Sequence, residues 1–96
     1  MSPNETIPGG WVIDIKHPCC VCKKLICCFD KAFEDLLGAN YEIVLYLGYQ
    51  VVAGTNHMLL CKQTLTTNPP EEHLVIVKIF KSLNCECSVT SVETII

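Results

Sequence analysis

Between Pro18 and Leu37, apolar side chains recur every three to four residues, and nearly everything after Gly38 is β-prone. That change of period constrains the fold more than any other feature of the chain. Val21, Leu25, Cys28, Ala32 and Leu36 form one helical row, and Cys22, Ile26, Phe29, Phe33 and Leu37 form the row beside it. Lys23, Lys24, Asp30, Lys31, Glu34 and Asp35 lie largely opposite, so the spacing predicts an amphipathic helix. Pro18 suits its first turn, where a missing N–H costs nothing, and Gly38 is placed to end it. Some twenty residues at 1.5 Å each make a helix of about 30 Å, which needs a wide surface to lie on.

The rest of the chain can provide that surface. Residues 41–52, 58–65, 74–80 and 88–96 are rich in Val, Ile, Leu, Thr and Tyr and read as strands. In the third of these, Leu74, Ile76 and Phe80 alternate with Val75, Val77 and Ile79. Residues 11–15 (Trp-Val-Ile-Asp-Ile) are short and β-prone, fitting an edge strand or an ordered lead-in. Residues 53–56 and 82–86 are the expected turns, and residues 66–72, with Asn68-Pro69-Pro70, the expected loop. One helix followed by consecutive antiparallel strands predicts an α+β fold, with the helix packed across a sheet of four to five strands. With 96 residues and no internal repeat, this is a single domain, 1–96, and residues 1–10 read as a flexible arm.

Charge removes some function classes. Ten acids against seven lysines and no arginine give a net charge of −3, with no basic patch for nucleic acid or an anionic membrane. The start lacks a basic region and an apolar run behind it, so a cytoplasmic location is the expectation. No nucleophile sits in a recognisable catalytic context, and His17, His57 and His73 show no ligand spacing, so neither an enzyme nor a cofactor is expected.

The eight cysteines point two ways. Five crowd into Cys19, Cys20, Cys22, Cys27 and Cys28, too close to staple distant parts of a fold, so most read as free thiols. Cys22 and Cys28 fall on the apolar rows, where a free cysteine acts as a small hydrophobe, and Cys20 and Cys27 fall among exposed positions. Cys19-x-x-Cys22 and Cys85-x-Cys87 invite a metal reading, but a structural zinc site wants a second close pair with convergent geometry, so no metal site is expected.

One motif carries a function. Gln50-Val51-Val52-Ala53-Gly54, followed by Thr55-Asn56, resembles the first binding hairpin of the cystatin family, whose pattern is Gln-x-Val-x-Gly; the stefins, or type 1 cystatins, are the nearest branch. Ile7-Pro8-Gly9-Gly10 resembles the stefin amino-terminal arm, and residues 77–83 resemble the strand leading into the second hairpin loop. The resemblance spans nearly the whole chain and is weakest in the cysteine-rich helix.

It implies a cystatin-like fold and a reversible, competitive, tight-binding inhibitor of papain-like cysteine proteases of the cathepsin B, H, L and S type. The cleft would be blocked by Ile7, Pro8 and Gly9 of the arm, by Gln50, Val51, Val52, Ala53 and Gly54 of the first hairpin, and by Leu83 and Asn84 of the second. A tight hairpin suits that task because strand pairing has already ordered its backbone. Gln50 would hold the loop through backbone hydrogen bonds, and Gly54 would allow a positive backbone angle or a close approach to the enzyme. The family's second hairpin normally carries Leu-Pro or Pro-Trp, and Asn84 in place of proline implies a weaker wedge. Two alternatives stay open: a thiol-rich metal-binding or redox protein on the same fold, and a relative that has lost inhibition. A homodimer formed by strand exchange or by an intermolecular disulfide also stays open.

Overall fold

The computed structural model describes residues 10–96. Strand β1 is Trp11–Lys16, helix α1 is Lys23–Glu34, and β2 (Ala39–Val52), β3 (Gly54–Leu65), β4 (Glu71–Lys81) and β5 (Cys87–Thr94) follow. All five strands pair antiparallel in the order β1-β2-β3-β4-β5, a plain meander of the α+β class with β1 at one edge and β5 at the other.

The helix is shorter than its apolar rows suggest. Its twelve residues span about 18 Å, and the residues before it fold differently. Pro18 does open a helical turn, but it is a three-residue 3-10 turn, Pro18–Cys20. Val21 and Cys22 then turn extended, with ψ of 141° and 133°. In that conformation the Val21 side chain is buried in the core, and Cys22 becomes the residue that caps α1. Spacing alone cannot separate this from a continuous helix, because Val21 faces inward either way. Cys22 is exposed, not part of an apolar row. At the other end the backbone leaves the helix at Asp35, Gly38 has φ of +85°, and Leu37 is 91 % exposed.

The phase of β4 agrees with its alternation. Val75, Val77 and Ile79 are fully buried, each opposite a buried residue of β3: Cys61, Leu59 and His57. Phe29, Ala32 and Phe33 of α1 pack on this face, and Leu25, Ile26 and Leu36 close its margins. Phe33 stacks on Tyr41 with ring centres 5.3 Å apart, and Phe29 meets the His57 ring edge-on. Strand β2 breaks the two-residue period at two bulges, between Ile43 and Leu45 and between Tyr46 and Gly48. Bulges bend and twist a strand, and they put Tyr46 on the buried face beside Tyr49 and Tyr41.

Three boundaries differ from expectation. The turn between β2 and β3 is Ala53 alone, because Val52 and Gly54 are already partners and Thr55 and Asn56 lie within β3. Glu71 and Glu72 belong to β4, paired with Leu65 and Thr64, so the loop is confined to residues 66–70. Strand β5 ends at Thr94, although Ile95 and Ile96 still hydrogen-bond to Leu74.

The cysteines depart most. Cys28 and Cys87, 59 residues apart, form a disulfide with Cα atoms 5.6 Å apart. Cys28 is therefore not a small free hydrophobe; it ties α1 to the start of β5. The other six cysteines are free, as expected of most of them. No described helix is long and apolar enough to cross a membrane.

Candidate functional site

The meander brings one end of the sheet together from three parts of the sequence. Trp11 pairs with Gln50, so β1 begins level with the end of β2. Thr55 pairs with Lys81, and Lys81 with Cys87, so residues 82–86 leave the sheet at the same end as Ala53. With strands spaced about 4.8 Å apart, the edge from β1 to β5 is about 19 Å wide. Along it lie, in order, the point where residues 1–9 join the sheet, the Ala53 turn, and the loop of residues 82–86. The loop of residues 66–70 lies at the far end, where the Thr66 N–H donates to the Gly38 carbonyl.

Several apolar side chains at this end are exposed. Val51 and Val52 are 54 % and 43 % exposed, Leu83 is 80 % exposed, and Ala53 and Asn84 are also open to solvent. Ile7, Pro8 and Gly9 lie outside the described residues.

The turn is held by its own strands. Asn56 Nδ2 donates to Gln50 Oε1 at 2.8 Å, a bond between directly paired residues. This side-chain bond locks β2 to β3 three residues before the turn. Gly54 differs more from expectation. It is buried, with φ of +113°, and a Cβ there would sit 2.6 Å from the Lys81 carbonyl and 2.7 Å from the Phe80 ring. Its absent side chain makes room for the chain's own β4, which lets the turn fold down onto the neighbouring strand.

The second loop is closed by hydrogen bonds in place of proline. The Cys85 N–H donates to the Ser82 carbonyl at 2.9 Å, and the Ser82 N–H donates to the Glu86 carbonyl at 2.8 Å. Ser82 Oγ accepts from the Glu86 N–H at 3.1 Å, and Cys85 takes the left-handed conformation, φ +64°, that completes the turn. Two residues on, Cys87 is bonded to α1, with the Cys28 sulfur 3.5 Å from the Cys85 carbonyl oxygen. The rigidity that Asn84 does not bring is supplied by Ser82 and the disulfide, two features the hairpin pattern alone does not reveal.

Behind this edge the titratable groups are structural. His57 is buried, its Nδ1 2.8 Å from the Tyr46 hydroxyl, and its Nε2 has no partner. Burial, with the Lys81 charge adding to it, pushes the imidazole down to about 4, so it is neutral near pH 7. Burial likewise pushes Tyr46 up to about 12 and the Cys61 thiol up to about 12, leaving neither group reactive. The exposed Cys22 thiol is held below its ordinary value by the N–H groups of Lys24 and Leu25 at the start of α1. Among the described residues, no three of His, Cys, Asp and Glu converge as a metal site.

A scan against protein-family models finds no match, and neither do searches of curated proteins and of solved structures.

Proposed function

We propose that this protein has a cystatin-like fold and is a reversible, competitive inhibitor of papain-like cysteine proteases, entering the cleft with the sheet end that carries Ala53. The observation that supports this reading most is the alignment along one edge of the strand following Ile7-Pro8-Gly9, the Gln50–Gly54 turn segment and the Leu83 loop. These are the segments that resemble the cystatin wedge, and antiparallel pairing puts two of them and the root of the third side by side.

The chemistry is that of a plug. Val51 and Val52 already stand in water, so burying them in an apolar cleft releases hydrating water at little conformational cost. Each valine can contribute about 1.5–3 kcal/mol if fully buried. The Gln50–Asn56 bond and the packing of Gly54 against Phe80 fix the turn before it docks, which limits the entropy lost on binding. A closed turn whose backbone is paired on both sides is a poor substrate, since cleavage needs an extended segment laid across the nucleophile. Leu83 adds apolar contact at the β5 side of the edge.

The test is binding to papain with its cleft open and with the cleft filled by a covalent peptidyl inhibitor. A one-to-one complex with the open enzyme and none with the filled one is the expected result. Equal binding to both would place the contact outside the cleft and overturn the reading.

A further inference from the structure

Six free cysteines remain that protease binding does not use, and two of them touch. Cys19 Sγ and Cys20 Sγ lie 3.9 Å apart on the 3-10 turn, both exposed. The turn holding them is closed by two hydrogen bonds, the Cys20 N–H to the His17 carbonyl at 2.9 Å and the Val21 N–H to the Pro18 carbonyl at 3.1 Å. The two thiols share a hydrogen bond.

Such a pair is poorly placed to oxidise on itself. Adjacent Cα atoms across a trans peptide are about 3.8 Å apart, whereas a disulfide wants about 4.4 Å or more. A single ion is a better bridge, because metal–sulfur bonds of about 2.3 Å span up to about 4.6 Å between two sulfurs. We propose that Cys19 and Cys20 form a two-thiolate chelate for a soft monovalent cation, with Cu(I) as the ion it fits.

The choice of ion follows from softness and from ligand number. Thiolates select soft ions. Structural zinc wants four protein ligands, and no third convergent ligand exists among the described residues. Cu(I) is satisfied by two thiolates. Binding breaks two S–H bonds, forms two S–Cu bonds and gives two protons to the buffer. No electron moves. Cys28 and Cys87 are bonded to each other and Cys61 is buried, so only the exposed Cys22, Cys27 and Cys85 could compete with the pair.

The experiment is an anaerobic titration of Cu(I), kept reduced with ascorbate, against a chromophoric Cu(I) chelator. The full-length chain carries Cys22→Ser, Cys27→Ser and Cys85→Ser, so that the pair and the disulfide remain, and circular dichroism checks that it is folded. One equivalent of Cu(I) should leave the chelator with release of two protons. Adding Cys19→Ser or Cys20→Ser should weaken binding about 100-fold or more, the loss expected when two linked ligands become one. No withdrawal of Cu(I), or withdrawal unchanged by Cys19→Ser, would overturn the site. Equally tight retention of Zn(II) would overturn the two-ligand assignment.

Discussion

Gly54 and Phe80 fit together because one has no side chain: a Cβ on Gly54 would lie 2.7 Å from the Phe80 ring and 2.6 Å from the Lys81 carbonyl oxygen. The tip of the sheet is therefore built by contact between β3 and β4, and the motif glycine is part of the fold before it is part of any interface.

Gly54→Ala should destabilise the protein by about 2–4 kcal/mol, combining a strained positive φ with a clash against backbone that cannot swing away. Urea denaturation checks this directly. A loss below about 0.5 kcal/mol would mean that β4 yields easily, and that the glycine matters only to a partner.

Reduction of Cys28–Cys87 should cost about 4 kcal/mol, the chain-entropy value for a loop of this length. The urea midpoint of the wild type should fall when reductant is added. In the double variant Cys28→Ala, Cys87→Ala it should be low from the start and indifferent to reductant.

His57 makes stability depend on pH. Its folded value of about 4 lies below the ordinary 6.5, so between these values the unfolded chain binds a proton that the folded chain refuses. Its contribution is complete above pH 6.5, declines as pH falls and is gone below about 4, a span worth on the order of 3 kcal/mol. Denaturation at pH 7, 5.5 and 4.5 should show the decline, and His57→Gln should flatten it.

Leu83→Ala should leave stability within about 0.5 kcal/mol of wild type, because the side chain is 80 % exposed. On the proposed function it should weaken papain inhibition by less than about tenfold, or ~1.4 kcal/mol, with the first hairpin and the arm providing the larger part.

These cases also show which features local sequence can carry. The inward phase of Val75, Val77 and Ile79 is legible because a strand's period is two and both faces are marked by side-chain type. The length of α1 is not, because Val21 reaches the core from extended backbone as readily as from a helix. The disulfide is hidden for a different reason: Cys28 meets Cys87 only once the β4–β5 register and the seat of α1 are both set. The exposed Val51 and Val52 could be read from the motif, while the role of Gly54 depends on Phe80, which is 26 positions away in sequence and adjacent in the sheet. The support that Ser82 gives the second loop comes from its backbone groups together with its Oγ, a local turn contact that the hairpin motif does not specify.

The most direct test of the inhibitor reading is the inhibition constant for papain of the wild type beside that of Val52→Glu. Val52 is 43 % exposed, so the substitution should not disturb the fold, but it would force a carboxylate into an apolar cleft. The account predicts nanomolar competitive inhibition by the wild type and a loss of about 100-fold or more in the variant. Inhibition absent at micromolar wild type, or equal for the two proteins, would contradict it.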